Sequence, residues 1–310
     1  MTRAAQRVAR LGVALLIGLA LAGCASAPPE GAVRLDGTPR LAVVSAFPAE
    51  LALLRARLQQ PASYRVNGVD FSTGTLEGKP VVLFLSGISM TNAAMNTQLV
   101  LDRFAISGIV FSGIAGGVNP SLNIGDVTVP AQWGPYLEVL MAREPSPGQY
   151  TPREADAQFA NFGMMFPRGV GVRSAARAPE RKFWFEVDPQ MLAAARRIES
   201  VELALCDAAR RCLGTQPKVV IGGNGVSGAA FVDNARFREY VFSTFQANVL
   251  DMETAAVGHV AYANAVPYIA FRSLSDLAGG GQGDNEMRTF MSIAADNSAK
   301  VVLAFLAAWK

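Results

Sequence analysis

The stretch Phe271-Arg-Ser-Leu-Ser-Asp-Leu-Ala-Gly-Gly280 runs from an apolar segment into a glycine-rich loop. An apolar segment of this length is typical of a buried strand, and the glycines mark its end. Asp276 stands at that transition, where flexible backbone lets a carboxylate reach a ligand. In open parallel sheets, ligands bind outside the carboxyl ends of the strands. The stretch therefore predicts an α/β fold with a site beside Asp276.

Two further segments place carboxylates at the ends of apolar runs. They are Asn248-Val-Leu-Asp-Met-Glu-Thr254 and Leu41-Ala-Val-Val-Ser-Ala-Phe-Pro-Ala-Glu50. Asp251 and Glu253 belong to the first segment, and Glu50 ends the second. Because the carboxyl ends of parallel strands meet at one edge of a sheet, we expect these side chains at the same site as Asp276.

Apolar segments of strand length recur along the chain and are rich in Val and Ile, as buried strands are. They lie at 41–46, 81–86, 108–112, 127–130, 219–221, 249–251 and 268–274. Helical patterns fall at 49–59, 91–104, 189–200, 235–245, 254–264 and 287–308. This alternation predicts an α/β fold, a single domain with a central mixed, mostly parallel sheet flanked by helices.

Residues 1–23 have the pattern of an export signal, in which a basic segment precedes an apolar run. The sequence Leu21-Ala-Gly-Cys24 resembles a bacterial lipobox, which implies that Cys24 becomes the acylated N-terminal residue. An uncleaved transmembrane helix is the alternative. It is less favoured, because the apolar run before Cys24 holds about 13 residues and a span needs ~20.

The segments after the signal peptide divide into an anchor and a domain. We expect residues 24–39 to hold the acylated cysteine and a tether, and residues 40–310 to form the folded domain. The stretch at about 132–215 breaks the α/β rhythm and is interpreted as an insertion that covers the site. By resemblance to proteobacterial lipoproteins, Ser26 favours the outer membrane. The expected location is therefore the periplasm, with a membrane contact through the lipid anchor alone.

The net charge of +3 is carried by the predicted signal peptide. Arg3, Arg7 and Arg10 account for all of it, and the segment holds no acid, so the rest of the chain is formally neutral. A nucleic-acid-binding protein needs a basic surplus or a cluster of lysine and arginine. We therefore expect no nucleic acid as partner and favour small-molecule chemistry.

The cysteines beyond Cys24 are Cys206 and Cys212. In an oxidising compartment they can close a small disulfide loop. The alternative is two free thiols in a helix, where a spacing of six residues does not bring side chains together. The sequence leaves both interpretations open.

Several kinds of catalytic site are excluded by the residue types present. The single histidine, His259, lies on a predicted helix and is interpreted as a packed residue, which leaves no obvious base for a Ser-His-Asp triad or a Cys-His pair. Histidine and cysteine spacings for zinc are absent as well. We expect no metal and no cofactor. The aromatic cluster Lys182-Phe-Trp-Phe-Glu186 is interpreted as core rather than as a lid over the site.

A glycine-rich turn, Ser112-Gly-Ile-Ala-Gly-Gly117, directly follows a predicted strand. Its backbone N–H groups, beginning near Gly113, can face a ligand. The turn lacks the lysine of a phosphate-binding P-loop, and its glycine spacing differs from the dinucleotide fingerprint. By itself it is equally consistent with a tight strand exit.

Together these segments resemble the nucleoside phosphorylase and nucleosidase superfamily, especially its methylthioadenosine/S-adenosylhomocysteine nucleosidase branch. The resemblance rests on separated motifs that cover most of residues 41–280. They are residues 41–54, Ser86-Gly-Ile-Ser-Met-Thr-Asn-Ala-Ala94, Ser112–Gly117 with Ile124-Gly-Asp-Val-Thr-Val-Pro130, Ser227-Gly-Ala-Ala-Phe-Val232, and Asp251-Met-Glu253 with Ser275-Asp276. Residues 231–280 are similar also to a subgroup that contains plant bark storage proteins.

The resemblance implies an acid and a base for cleavage of a purine nucleoside. Asp276 is expected to be the general acid that protonates purine N7, with Ser275 orienting it. Glu50, with Arg272 nearby, is expected to position and deprotonate the attacking water. The chemistry needs such groups, because a purine leaves poorly until N7 is protonated and an acid with a raised pKa can supply that proton.

The resemblance also implies the residues that bind the nucleoside. Met252 and Glu253 are expected to hold the ribose, and Glu253 to accept hydrogen bonds from its hydroxyls. Phe231 is expected to stack on the base, while the backbone of Val232 contacts its edge. The two glycine turns contribute Gly87 and Gly113.

Hydrolysis is favoured over phosphorolysis. Phosphorylases of this superfamily carry an arginine and a serine or threonine where this chain has Phe111 and Ile114, and an apolar pair cannot satisfy a buried dianion. Purine nucleoside phosphorolysis is the first alternative, and a non-catalytic nucleoside-binding or storage protein is the second. The nucleosidases themselves usually have serine at the position of Ile114, so strict adenosine-thioether specificity is not expected. By resemblance, the chain is expected to form a homodimer and to use water as co-substrate.

Overall fold

The computed structural model describes residues 34–153 and 157–310. The predicted signal peptide, Cys24 and residues 24–33 of the predicted tether lie outside the described residues. The folded region begins earlier than expected, because the first strand starts at Asp36 rather than near residue 40. Arg40 Nε donates to Asp36 at 2.6 Å, so the end of the predicted tether is part of the domain.

Most strands belong to a mixed sheet of 12 strands. These strands are β1 (Asp36–Ser45), β2 (Gln59–Val66), β3 (Val69–Leu76), β4 (Lys79–Leu85), β5 (Phe104–Gly117), β6 (Val127–Val129), β7 (Gln132–Pro135), β14 (Phe185–Glu186), β15 (Val219–Ile221), β16 (Asn224–Ser227), β17 (Ala247–Asp251) and β18 (Tyr268–Asp276). Three two-stranded antiparallel sheets are formed by β8 (Val139–Met141) with β11 (Met165–Pro167), β9 (Arg143–Ser146) with β10 (Gln149–Thr151), and β12 (Val170–Val172) with β13 (Glu180–Lys182).

Helices pack against this sheet. They are α1 (Pro48–Arg57), α2 (Met90–Arg103), α3 (Pro189–Arg196), α4 (Ala235–Phe245), α5 (Thr254–Ala263) and α6 (Met287–Ala308). The α4 and α6 bounds equal the predicted ones, and the other helices differ from prediction by a few residues at their ends. The structure confirms the predicted α/β fold with its central mixed sheet.

The long strand β5 organises the sheet. It pairs in parallel with β1 as far as Phe111 and in parallel with β18 from Ile109 to Gly116. At Gly116 and Gly117, β17 pairs with β5 in the antiparallel direction. The sheet neighbour of β5 thus changes from β1 to β17 along its length. Such a switch point opens a crevice at strand ends, which is where ligands bind in α/β sheets.

The helix α6 is the longest helix in the described part of the chain, and it packs on β18, β5 and α1. Its length and composition alone are compatible with a membrane span, but 56% of its most apolar window is buried inside the protein. Phe271 of β18 meets Phe305 of α6 with ring centroids 5.1 Å apart. The helix is therefore a core helix, since its apolar face lies on the sheet.

The segment 132–215 is woven into the domain, which corrects its interpretation as an insertion covering the site. Its β7 pairs with β16 and β14 in the main sheet, and Trp133 of β7 is fully buried there. None of its described residues lines the cavity beside Asp276 at the strand ends. The aromatic cluster belongs to the core, since Phe183 stacks on Phe245 with centroids 5.5 Å apart. His259 stacks on Phe185.

Other elements were not anticipated from the sequence. The hairpin of β2 and β3 pairs with β4 at one sheet edge, and β2 is largely exposed, so it lacks the continuous apolar run used to identify strands. Cys206 and Cys212 form a disulfide and lie on an isolated bridge rather than in a helix. The structure thus agrees with the disulfide loop, one of the two interpretations that the sequence left open.

The packing of α6 on β18 yields a stability prediction. Replacing Phe271 with alanine removes a fully buried ring, so the free energy of unfolding is expected to fall by about 3–5 kcal/mol. Urea unfolding followed by circular dichroism measures this loss. Met141→Ala is the control, because Met141 is 56% exposed and should cost far less. Equal losses for the two variants would contradict the packing of α6.

Candidate active site

A cavity of ≈ 340 Å³ opens at the carboxyl ends of β1, β17 and β18. It is lined by Ala46, Phe47, Glu50, Ile88, Ile114, Ala115, Gly116, Ala230, Phe231, Val232, Leu250, Asp251, Met252, Glu253, Ser275, Asp276, Met287 and Met291. Most of the predicted site residues are in this group. Gly87, Gly113 and Arg272 are not, and each acts from behind the cavity wall.

Asp276 ends β18 at a register shift, which re-aims its side chain into the cavity. Its Oδ2 accepts a hydrogen bond from Ser275 Oγ at 2.8 Å, and its Oδ1 accepts from Ala278 N at 2.8 Å. Asn285 Nδ2 lies 3.5 Å from the same Oδ1. Burial raises the pKa of Asp276, and these hydrogen bonds oppose that rise without cancelling it. The carboxyl is therefore suited to hold a proton and donate it.

Glu50 lies in the first turn of α1 and is buried, with 2% of its surface exposed. Its Oε2 accepts from Ala46 N at 2.7 Å, and its Oε1 accepts from Ile114 N at 2.8 Å. Burial raises its pKa, while Arg272 and these backbone donors lower it. A carboxylate with a raised pKa is a stronger base than an exposed one, so Glu50 can take a proton from water.

Glu253 follows β17 and precedes α5. Its Oε1 accepts a hydrogen bond from Ser89 N at 2.8 Å. Ser89 can present that N–H because it has a φ of +85°, an unusual backbone conformation for a residue with a side chain, and Gly87 before it has a φ of +77°. Gly87 thus shapes the turn that holds Glu253. Burial and, after it, the nearby charge of Asp251 together raise the pKa of Glu253 to about 7.

Arg272 of β18 is a fully buried cation shared by several carboxylates. Its Nε lies 2.8 Å from Asp251 Oδ2, its Nη2 3.6 Å from Glu253 Oε2, and its Nη1 3.7 Å from Glu50 Oε1. Its guanidinium carbon lies 3.9 Å from the centre of the Phe111 ring. Arg272 therefore organises the acids of the site from behind the wall rather than touching the cavity.

Gly113 is required by that buried cation. A Cβ on Gly113 would lie 1.9 Å from Arg272 Nη1 and 2.6 Å from Glu50 Oε1. The Gly113 N–H donates to Ser298 Oγ of α6 at 3.1 Å, and Ser298 Oγ in turn donates to Phe271 O at 3.0 Å. The glycine therefore provides room for the ion pair, and its N–H faces α6 rather than a ligand as the sequence had suggested.

Two residues predicted to bind the base lie together beside the acid. Phe231 lines the cavity and is 54% exposed, which leaves a face of its ring free for stacking. Val232 follows it and is buried at the same wall. The segment is docked on the loop after Asp276, because Asn234 N donates to Ala278 O at 3.1 Å.

The sequence had not identified several of the lining residues. Met287 and Met291 line the cavity from the start of α6, and Ile88 does so from the turn before α2. The spacing of four residues between the two methionines places them on one helix face, which was the available signal. Asp251 was expected at this site as a strand-end carboxylate, but the sequence assigned it no role.

Comparison with known proteins gives a consistent result. The profile of the phosphorylase superfamily matches residues 40–307. A 5'-methylthioadenosine/S-adenosylhomocysteine nucleosidase of Geobacillus thermodenitrificans (strain NG80-2) is 30% identical over 268 residues, which is 86% of this chain and 96% of that protein. One of Lysinibacillus sphaericus (strain C3-41) is 29% identical over 269 residues, covering 86% of this chain and 99% of the relative.

Solved structures agree with the sequence relatives. The 5'-methylthioadenosine/S-adenosylhomocysteine nucleosidase of Neisseria meningitidis in complex with methylthio-immucillin-A has a TM-score of 0.64 and 25% identity, over 87% of this chain and 99% of that one. A futalosine hydrolase of Helicobacter pylori strain 26695 has a TM-score of 0.65 at 21% identity, over 86% of this chain and 97% of that one. The second likeness concerns the fold alone.

The role of Gly113 can be tested directly. Gly113→Ala forces Arg272 or Glu50 out of place, so catalytic activity is expected to fall by at least about 100-fold and the melting temperature to drop. Gly171→Ala is the matched control, because a Cβ there meets no atom within 4 Å. Activity in Gly113→Ala equal to that of the control would show that the ion pair is not confined as described.

Proposed function

This chain belongs to the phosphorylase superfamily. From that membership and from the geometry of the cavity, we propose that the protein is a purine nucleosidase, which hydrolyses the N-glycosidic bond of a purine nucleoside. The observation that carries the proposal is the placement of Asp276, Glu253 and Glu50 on one cavity, each buried and each with a raised pKa. Such a set supplies an acid, a ribose ligand and a base.

Asp276 acts on the leaving group. A purine departs as an anion unless its N7 is protonated, and burial, which raises the pKa of Asp276, makes this carboxyl better suited to supply that proton. Ser275 holds the carboxyl by its hydrogen bond to Oδ2. Phe231 and Val232 supply the wall on which the base lies.

Glu253 and Glu50 act on the sugar and on water. As the glycosidic bond breaks, positive charge develops on the ribose ring, and nearby carboxylates stabilise it. Glu253 accepts hydrogen bonds from the ribose hydroxyls, while Met252 packs beside the sugar. Glu50 accepts a proton from water, whose oxygen then bonds to the anomeric carbon and replaces the purine.

The lining of the cavity favours water over phosphate as the nucleophile. None of the described lining residues is lysine, arginine or histidine. Three acidic side chains already lie beside Arg272, so its positive charge is not available to neutralise a phosphate dianion. Phosphate in this site would meet Glu50 and Ile114 instead, and burying a dianion without cationic partners is costly.

The finer substrate assignment is a nucleoside with an apolar 5' group. The walls not assigned to base or ribose carry Phe47, Ile88, Met287 and Met291, all apolar. A methylthio group gains from such contacts, whereas a 5' hydroxyl gains little. The relatives that act on 5'-methylthioadenosine and S-adenosylhomocysteine support this choice.

For the location, we propose a lipid-anchored periplasmic protein, from the lipobox-like sequence that ends at Cys24. Labelling of the protein by a radioactive fatty acid in a bacterial host, lost in Cys24→Ser, tests the anchor. We also propose a homodimer, for which analytical ultracentrifugation of the protein lacking residues 1–24 is the test.

The substrate class is tested by release of free base. Methylthioadenosine, adenosine and inosine are each incubated with the protein, with and without inorganic phosphate. We expect base release that does not depend on phosphate, with methylthioadenosine the best substrate by about tenfold in kcat/KM. Release that requires phosphate would establish a phosphorylase instead.

The role of the acid is tested by Asp276→Asn. This variant keeps the shape of the side chain but cannot donate the same proton, so kcat is expected to fall by about 1,000-fold while nucleoside binding changes little. Asp70→Asn is the control, because Asp70 is an exposed carboxylate of β3. Binding by the wild-type protein without any turnover would favour the alternative of a nucleoside-binding or storage protein.

The pH dependence follows from the two raised pKa values. Asp276 must be protonated, so kcat/KM is expected to fall as pH rises through its raised pKa. Glu50 must be ionised, so kcat/KM is expected to fall as pH drops through the pKa of Glu50, which burial places above the ordinary value for glutamate. A profile flat from pH 4 to pH 10 would contradict the acid–base assignment.

A further inference from the structure

Asp251 has no role in the proposed reaction, yet it lies closest to the buried cation of the site. Its Oδ2 is 2.8 Å from Arg272 Nε, whereas the guanidinium is 3.6 Å from Glu253 and 3.7 Å from Glu50. At these separations Asp251 makes the direct ion pair, and the two glutamates interact with the cation over longer distances. Thr254 Oγ1 accepts from Arg272 Nη2 at 2.8 Å and fixes the plane of the guanidinium.

The carboxylate of Asp251 accepts hydrogen bonds from several donors. The hydroxyls of Ser227 and Thr254 both donate to its carboxylate. The backbone N–H groups of Glu253 and Thr254 donate to Oδ1 at 3.2 Å. These hydrogen bonds fix the position of the Asp251 carboxylate beside Arg272.

The charges around Arg272 do not balance if all its acids are ionised. One guanidinium then faces three buried carboxylates, and Asp251 already makes the direct pair. The other titratable groups near Asp251 are Tyr136 and Tyr268, and burial raises the pKa of each phenol so that both remain neutral. Apart from backbone N–H donors, Arg272 is the only described cation that acts on Glu50 and Glu253. Keeping two neighbouring carboxylates ionised in a buried site costs free energy, because their charges repel each other.

We propose that Asp251 is a positioning residue of this site. It binds Arg272 through Nε, so that Nη1 of the guanidinium points toward Glu50 and Nη2 toward Glu253. As a result, Glu50 and Glu253 share one proton in the substrate-free protein. The inference rests on the proposed hydrolysis for its kinetic consequence. Burial and the charge of Asp251 raise the pKa of Glu253 to about 7, which agrees with a shared proton. The acidic limb of the pH profile then reports that proton, because Glu50 must lose it to act as base.

The decisive variant is Asp251→Asn, which removes the charge and keeps the size of the side chain. Arg272 is then shared by Glu50 and Glu253 alone, so both glutamates ionise more easily. The acidic limb of kcat/KM is expected to move to lower pH by about one unit. A limb that stays in place or moves to higher pH overturns the proposal.

Ser227→Ala is the matched control. It removes one hydrogen bond from the same carboxylate and leaves every charge of the cluster in place. We expect its acidic limb to stay within about 0.3 unit of the wild type, even if kcat falls. If the role of Asp251 were purely structural, kcat would fall in both variants and the acidic limb of kcat/KM would shift in neither variant. A shift of equal size in both variants therefore also overturns the proposal.

A measurement without substrate separates this proposal from the proposed function. Glutamates whose pKa is raised by folding stabilise the protein fully at low pH, and that stability is lost as pH rises through their folded pKa. The wild type should therefore lose more melting temperature between pH 5 and pH 8 than Asp251→Asn, by roughly 2–4 °C. Equal losses overturn the proposal, whereas absence of base release in the wild type overturns only the proposed function.

If Asp251→Asn does not fold, the shared proton is measured in the wild type. Glutamate labelled with ¹³C in its side chain gives the titration of Glu50 by nuclear magnetic resonance, with Glu50→Gln used to assign the signal. In Glu253→Gln the competing carboxylate is gone, so Glu50 is expected to titrate at lower pH by about one unit. Glu50 titrating at the same pH in both proteins overturns the proposal.

Discussion

The buried guanidinium of Arg272 is the constraint on which the site depends. Burying a cation is costly unless negatively charged partners lie close to it, and three acidic side chains surround Arg272 here. The same cation makes it possible to bury those acids, which would otherwise be expelled or protonated. Arg272 never lines the cavity, but it determines where Glu50 and Glu253 stand and how easily they lose their protons.

The sheet supplies the geometry that this cluster needs. Because β5 exchanges β1 for β17 as its neighbour, the ends of β1 and β17 diverge and leave a cavity between them. Gly113 of β5 leaves room for the guanidinium, and Phe111 offers it the face of a ring. Ser298 of α6 connects β5 to β18 behind the cluster, so the helix that completes the core also fixes the site.

Acid and base functions come from carboxylates in different environments. Asp276 is buried beside neutral donors, so desolvation dominates and raises the pKa of its carboxyl. Glu50 is also buried and its pKa is raised too, but the nearby Arg272 opposes that rise and favours the ionised form. One fold thus provides opposite roles for similar side chains, which is the requirement for breaking a glycosidic bond near neutral pH. The absence of basic side chains among the described lining residues leaves water as the favoured nucleophile.

The sequence by itself determined the α/β class, the bounds of α4 and α6, and the placement of Asp276, Glu50 and Glu253 at or just after strand ends. It could do so because apolar periodicity and strand-end glycines are local signals of burial and chain reversal. The motifs likewise placed Phe231 and Val232 on the cavity. The exposed edge hairpin of β2 and β3 gave no such signal, since its burial is set by a neighbouring strand.

Only the tertiary structure decided what Arg272, Asp251 and Gly113 do. Arg272 and Glu50 are more than 200 residues apart in the chain, and their ion pair exists because β1, β5 and β18 are neighbours in the sheet. The need for glycine at Gly113 likewise arises from a side chain of another strand. Local sequence encodes which residues are buried, whereas the partner of a buried charge depends on contacts between distant segments, and these form only when the chain folds.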